Sequence, residues 1–280
     1  MNALSSSVSL LPSSIAFIGG GNMASAIIGG LLKAGRSAAA VTVVEPMAEQ
    51  RERLRQQFGV RAHEAADATL ADAELVVWAV KPQLFAEAAG PCAPYVGRAL
   101  QLSVMAGIRS QALVRATRSE AVVRAMPNTP ALIGQGMSGL YARPAVDAAQ
   151  RAMVEEVLAP TGRTLWVAEE DDLDAVTALS GSGPAYVFYV LEAMMAAAEQ
   201  MGLSAEQGRQ LALGTFAGAT ALAQHSSETP AVLRERVTSR GGTTHAAITA
   251  MEADGIKPAF VRALLAAQRR ARELGDQFGA

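Results

Sequence analysis

Short unbroken apolar runs alternate with longer mixed stretches through the first half of the chain. Residues 15–18 form such a run, which ends at Gly19-Gly20-Gly21. Residues 22–34 follow with helical spacing and are closed by Gly35. A second run covers 41–45, and a polar-faced helical pattern follows over 47–58. A third run spans 75–80 and stops at Lys81-Pro82. Two more occupy 100–104 and 121–126, with helical spacing at 110–116 between them. The runs at 15–18 and 75–80 lack the apolar–polar alternation of a strand with one wet face. They predict strands buried on both faces, as in a parallel sheet covered by helices. Right-handed crossovers then make the sheet doubly wound.

Residues 137–141 and 164–167 read as two final strands around a helix at 146–158, extending the sheet. The pattern changes near Asp171. From there to Ala280 the segments are helical, rich in Ala, Leu, Met and Glu, and broken at Gly202, near Pro230 and at Gly241-Gly242. The expected architecture is α/β. A flexible tail at 1–12 precedes an N-terminal Rossmann-type doubly wound sheet at 13–170, and an all-helical C-terminal domain covers 171–280. Small residues crowd the second half, among them Ala193, Ala196, Ala197, Gly214, Ala217 and Gly218. They allow close helix approach, and the bundle either packs alone or interlocks with a second copy, with a dimer favoured.

Composition narrows the function without naming it. Half of the 280 residues are apolar and 18% are charged, with a net charge of -2. That balance argues for a packed globular chain and against partners such as nucleic acid or an anionic membrane. The single cysteine, Cys92, excludes an intrachain disulfide and has no second cysteine with which to chelate a metal. The serine-rich start lacks a basic region and an apolar core, so no signal peptide is expected. The apolar stretch at 185–198 contains Glu192 and is too short to span a membrane. A cytoplasmic location follows by default.

The first chemical motif is Gly19-Gly20-Gly21-Asn22-Met23-Ala24, which fits G-x-G-x-x-A between a strand and a helix. Gly19 permits the tight turn. Gly21 lets a pyrophosphate approach the backbone, where any Cβ would collide with it. Ala24 is small enough for close helix–strand packing, and the free N–H groups at the helix start face the phosphates. The end of the second strand normally reads the adenosine ribose, and here it is Glu45-Pro46. A carboxylate there binds a 2′-hydroxyl and repels a 2′-phosphate. Arg51 and Arg53 follow and could serve a phosphate instead, so the residues leave NADH against NADPH open.

In the second half, residues 237–245 (Val-Thr-Ser-Arg-Gly-Gly-Thr-Thr-His) place two glycines between hydroxyl residues, just before a helical pattern. Free N–H groups and hydroxyls gathered there suit a carboxylate. An ordinary helix start, capped by Thr243 or Thr244, explains the same residues equally well. Ser180-Gly181-Ser182-Gly183-Pro184-Ala185-Tyr186 interrupts a helical pattern, which indicates either a kink at a cofactor cleft or a structural helix contact. Among the histidines, His63 and His225 read as surface residues, His225 in a loop. His245 is either a proton-transfer group or a first-turn residue.

Five segments in this order resemble pyrroline-5-carboxylate reductases: the glycine turn with Asn22-Met23, Ala79-Val80-Lys81-Pro82, residues 124–130 (Arg-Ala-Met-Pro-Asn-Thr-Pro), residues 179–186, and residues 237–244. The resemblance runs from Ile15 to the C-terminus. It implies a helical domain that interlocks with a partner subunit, as a dimer or a ring of dimers. It also implies reduction of L-1-pyrroline-5-carboxylate to L-proline, with NADPH preferred by many members and NADH often accepted. By resemblance the pyrophosphate lies against Ile18, Gly19, Gly20, Gly21, Asn22 and Met23. Further cofactor contacts fall at Ala79, Val80, Lys81, Pro82, Val104, Met105 and Ala106, and Asn128 lies where loops of such folds meet the nicotinamide. The substrate carboxylate falls to Ser239, Thr243 and the N–H groups around Gly242, and the ring nitrogen to Thr244. Two positions depart from the pattern. Arg240 stands where the family often has proline or lysine. Ser227 stands where some members carry a glutamate, and no role is carried over to it.

Three other functions are compatible with parts of this pattern. A β-hydroxyacid dehydrogenase shares the architecture but resembles its relatives in a catalytic lysine on the interdomain helix. This chain has only Lys33, Lys81 and Lys257, none of them in residues 173–200. A non-catalytic dinucleotide-binding regulator would have no need of the intact Thr243-Thr244 turn. A reductase of another cyclic imine is the third.

Overall fold

The computed structural model describes residues 11–278. The tail expected at 1–12 lies, except for Leu11 and Pro12, outside the described residues. The sheet half runs β1 (Ile15–Ile18), α1 (Asn22–Lys33), β2 (Val41–Val44), α2 (Ala48–Phe58), β3 (Arg61–His63), β4 (Leu75–Trp78), α3 (Phe85–Val96), β5 (Leu100–Ser103), α4 (Ser110–Thr117), β6 (Val122–Met126), β7 (Gly136–Ala142), α5 (Ala148–Leu158) and β8 (Gly162–Trp166). The helical half runs α6 (Asp172–Val176), a π-helical turn (Thr177–Gly181), α7 (Gly183–Gln200), α8 (Ala205–His225), α9 (Pro230–Arg236), α10 (Thr243–Ala253) and α11 (Ile256–Phe278). Among the described residues no helix is long and apolar enough to cross a membrane.

Eight strands form one sheet in the order β3-β2-β1-β4-β5-β6-β7-β8. The first six are parallel, and the strand order reverses between β1 and β4. Period-two side-chain alternation explains the unbroken apolar runs, because each strand feeds two cores. Ile15, Phe17, Val43 and Val77 pack on one face with Ile27, Ile28 and Leu31 of α1 and Val154 and Val157 of α5. Ala16, Ile18, Val76 and Trp78 pack on the other face with Phe85, Ala89 and Cys92 of α3 and Leu113 of α4.

Three features depart from the sequence reading. β7 pairs antiparallel with β6, so the sheet is not parallel throughout. The link between them holds only the short 3₁₀ turn Thr129–Ile133 and no crossover helix, so the chain doubles back. α5 then carries the chain to β8, which is parallel to β7. β3 was not anticipated, because a three-residue edge strand leaves no run to read. α3 was not anticipated either, since Pro91 and Pro94 lie inside it.

The chain divides into two compact units. One holds the sheet through Ser182 together with the last stretch of α11 from Ala267, and the other is Gly183–Ala266. The sequence pattern changes earlier, at 170/171. The segment from Asp172 to Gly181 is helical, yet it packs on the sheet: a Cβ on Gly139 of β7 would lie 2.6 Å from Val176. Within the second unit, α7 and α8 approach closely, and a Cβ on Gly208 would lie 2.8 Å from that of Ala198. Tyr186 meets Phe260 edge to face at 6.0 Å. Phe188, Tyr189, Leu211 and Leu222 are exposed. His225 is the last residue of α8, not part of a loop, and its Nδ1 lies 2.8 Å from the Ala221 carbonyl oxygen.

Candidate functional site

In the sheet unit, the predicted residues gather along the carboxyl ends of the parallel strands, beside the reversal between β1 and β4. Ladder bonds continue one residue past each strand. Gly19 N–H donates to the Val44 carbonyl at 2.9 Å, Ala79 N–H to that of Ile18 at 2.8 Å, and Val104 N–H to that of Trp78 at 3.0 Å. This edge is where open α/β sheets hold ligands.

The three glycines of the turn have different roles. Gly19 has φ +95°, and a Cβ on it would lie 2.8 Å from the Ala79 carbonyl oxygen. Its need for glycine is therefore internal to the fold. Gly20 is buried, and a Cβ there would meet Leu54 at 2.5 Å. Gly21 is exposed, and a Cβ on it would touch nothing within 4 Å. The space before Gly21 is open, so the fold itself does not require a glycine there. Gly21 is also the N-cap of α1, with no side chain capping it, and Asn22 and Met23 open the helix. N–H groups left in this way suit a phosphate.

Beside the turn lies a cavity of about 270 Å³, walled by Ile18, Gly19, Val44, Pro46, Ala65, Val80, Leu84 and Cys92 among others. Its apolar wall between strand ends suits a flat heteroaromatic ring, such as the adenine end of a dinucleotide. Burial pushes the Cys92 thiol up to about 11, so it remains a neutral part of the wall. Ala65, Leu84 and Cys92 were not foreseen as site residues. Ala65 follows β3, whereas Leu84 is the N-cap of α3 and Cys92 lies two turns into it, and only folding brings the two segments together.

Glu45 lies just past β2 as expected, but its side chain is turned inward and 8% exposed. Its Oε2 accepts the Gly20 N–H at 3.0 Å and its Oε1 accepts the Met47 N–H at 3.0 Å. Arg51 donates to the carbonyls of Glu45 at 2.9 Å and Pro46 at 2.7 Å, and pairs with Glu64 at 2.9 Å. Arg53 pairs with Glu49.

Val80 lines the cavity, whereas Lys81 is exposed and caps a short 3₁₀ turn that begins at Pro82. Met105 is buried and Ala106 exposed. Asn128 is committed to the fold. Its Nδ2 donates to the carbonyl and the hydroxyl of Ser180, each at 3.2 Å, and its Oδ1 accepts the Met137 N–H at 2.9 Å. The interruption at 180–186 has a structural cause here. The π turn closes with Ser182 N–H on the Thr177 carbonyl at 2.8 Å, and a Cβ on Gly181 would lie 2.5 Å from the Met126 methyl.

In the helical unit, Ser239 to Gly242 form a tight turn closed by Gly242 N–H on the Ser239 carbonyl at 3.0 Å. Gly241 has φ +76°, and a Cβ on Gly242 would lie 2.7 Å from the Ser239 hydroxyl oxygen. The N-cap of α10 is Gly242, with no capping side chain. The ordinary threonine cap is therefore not what the hydroxyls of Thr243 and Thr244 supply. Thr244 is half-buried, while Ser239, Thr243 and His245 are exposed. Glycine at this cap leaves the helix start and its hydroxyls available to an anion.

A mostly parallel sheet with a glycine turn after its first strand and an apolar cavity beside that turn is the architecture of a Rossmann-type dinucleotide-binding domain. Residues 14–107 match the family described as NADP oxidoreductase, coenzyme F420-dependent, and residues 170–274 match that described as pyrroline-5-carboxylate reductase dimerisation. Pyrroline-5-carboxylate reductase of Pseudomonas aeruginosa is 45% identical over 95% of this chain and 98% of its own. That of Haemophilus influenzae is 40% identical over 94% and 98%. Among solved structures, a pyrroline-5-carboxylate reductase from Coxiella burnetii superposes with a TM-score of 0.87 at 35% identity, covering 94% of this chain and 98% of that one. A Plasmodium falciparum pyrroline carboxylate reductase with NADP bound gives 0.83 at 26% identity, with the same coverage. The chain belongs to the pyrroline-5-carboxylate reductase family.

Proposed function

We propose that this chain reduces L-1-pyrroline-5-carboxylate to L-proline, with NADPH as the preferred reductant and NADH as an alternative. The observation that carries this reading is family membership, at 45% identity over 95% of the chain. The open cradle at Gly21 and the uncapped start of α10 agree with it.

In this reading residues 13–170 hold the dinucleotide and residues 171–280 hold the substrate and a second copy of the chain. The assembly is a cytoplasmic dimer or a ring of dimers. The N–H groups of Gly21, Asn22 and Met23 hold the pyrophosphate, with Ile18, Gly19 and Gly20 behind them. Val80 and the cavity wall take the adenine end. Ala79, Lys81, Pro82, Val104, Met105, Ala106 and Asn128 shape the rest of the cofactor edge.

Bound NADPH supplies a hydride. The Ser239 and Thr243 hydroxyls and the N–H groups at Gly242 hold the substrate carboxylate. This fixes the imine carbon for attack, and positioning of that kind is a large part of such catalysis. The substrate enters as a protonated iminium. As the carbon accepts the hydride, the C=N π pair withdraws onto nitrogen, which becomes a secondary amine. Thr244 hydrogen-bonds that nitrogen and stabilises the change. No strong general acid is needed, so His245 has no assigned step.

The test is oxidation of NADPH and of NADH, in parallel, by the purified protein with pyrroline-5-carboxylate, and detection of proline. Turnover with proline formed is the expected result. Tight dinucleotide binding without turnover would move the reading to another cyclic imine or to a non-catalytic regulator.

A further inference from the structure

The peptide units around Gly20 are held by side chains from the second βα unit, and this bears on how the cofactor is read. Glu45 Oε2 accepts the Gly20 N–H at 3.0 Å. Gln50 Nε2 donates to the Gly20 carbonyl at 2.6 Å, and the Ser25 hydroxyl lies 3.4 Å from the same oxygen. Leu54 closes the side on which a Cβ would stand. Gly20 is thus gripped at its N–H, its carbonyl and its α-carbon. The second oxygen of Glu45 is occupied by the Met47 N–H at 3.0 Å.

From this geometry we infer that Glu45 and Gln50 are positioning residues that hold the pyrophosphate turn, and that Glu45 does not discriminate the adenosine ribose. An acidic residue past the second strand ordinarily accepts from the ribose 2′-hydroxyl and so disfavours a 2′-phosphate. Here each carboxylate oxygen already accepts a backbone N–H, and the side chain is buried. The Gly20 N–H is likewise committed, which leaves Gly21, Asn22 and Met23 to face the phosphates. Turned inward, the carboxylate faces the two N–H dipoles of Gly20 and Met47. Gln50 acts on the other side of the same glycine, at its carbonyl. The inference rests on the dinucleotide reading of this site and not on the identity of the imine.

The experiment is direct titration of NADPH and NADH, followed by nicotinamide fluorescence, on wild type, Gln50→Ala, Glu45→Ala and Glu45→Gln. Loss of one internal hydrogen bond should weaken both dinucleotides by about three- to tenfold in Gln50→Ala and Glu45→Ala. The NADPH-to-NADH ratio should stay within about twofold of wild type, and KM for the imine should hold, because only the phosphate cradle is loosened. Glu45→Gln keeps an oxygen for the Gly20 N–H and should recover part of the loss. Alanine at position 50 suits a helix, so that variant reports on the turn even if Glu45→Ala fails to fold. A ratio that shifts toward NADPH by about tenfold or more in either Glu45 variant, the size of a lost charge repulsion, would overturn the inference in favour of ribose reading. Wild-type affinity for both dinucleotides in Gln50→Ala would also overturn it. Failure of the wild type to bind either dinucleotide would overturn the cofactor reading itself. Binding without imine turnover would leave the inference standing and remove only the substrate.

Discussion

Arg124 of β6 and Glu170 meet at 2.8 Å, with the arginine side chain 6% exposed. Glu170 also accepts from the Ser110 N–H and hydroxyl, each at 2.6 Å. Arg109 beside them pairs with Asp174 at 3.0 Å. These bonds tie the segment after β8 to the sheet, which explains why the first helical residues pack with the sheet unit.

Burial alone would raise the Glu170 carboxyl. The Ser110 hydrogen bonds and the Arg124 charge outweigh it and hold the group below the ordinary 4.5. A depressed carboxylate stabilises the fold above its unfolded value, and that contribution is lost as the pH falls through the folded value. Melting temperature measured from about pH 7 down to about pH 3 should fall below about pH 4.5. In Glu170→Gln it should start lower, by about 2 kcal/mol of stability, and the acid-dependent fall should be smaller. An unchanged acid profile would show that Glu170 does not carry it.

Thr244→Ala should lower kcat by about tenfold to a hundredfold, the effect of one hydrogen bond to a desolvated reacting nitrogen. The Kd for NADPH should not change, and Thr244→Ser should recover most of the rate. Steady-state kinetics with a parallel titration checks both arms. Full turnover in the alanine variant would remove Thr244 from the mechanism.

Gly19 and Gly21 should fail in different ways. Gly21→Val places its side chain where the protein has no atom, so melting should barely change while dinucleotide affinity falls by about a hundredfold or more through steric exclusion. Gly19→Ala forces a Cβ to 2.8 Å from the Ala79 carbonyl oxygen at φ +95°, and it should cost about 2 kcal/mol or more of stability. Thermal melts paired with titration separate the two. Equal melting of both variants would contradict this division of roles.

Cys92 is 1% exposed, and its thiol is held up to about 11 by burial. A thiol reagent at about pH 7.5 should therefore label native protein very slowly and denatured protein fully, since the thiolate is the reactive form. Fast labelling of the native protein would mean that the cavity wall opens.

Much of the core was readable because its cause is local. Strands buried on both faces are mostly apolar, and wholly so in Ile15–Ile18 and Leu75–Trp78. The glycine turn was readable because glycines in that spacing between a strand and a helix are a local pattern, and at Gly19 the fold leaves no room for a Cβ. Asn128 could be placed at the strand end but not oriented. Its amide bonds Ser180 and Met137, partners whose approach no local pattern encodes. Nothing local marks Gln50 within the polar-faced helix at 47–58, because its partner Gly20 is 30 positions away.

The sequence by itself determined the alternation of buried strands and helices, the positions where backbone must lie bare, and the family. Each of these depends on residue type and short spacing. Tertiary structure alone decided that β7 runs back against β6, that separate segments wall the ring cavity, and that the Glu45 carboxylate points inward to Gly20. Side-chain direction depends on which distant groups come within hydrogen-bond reach, and the chain settles that only when the sheet has formed.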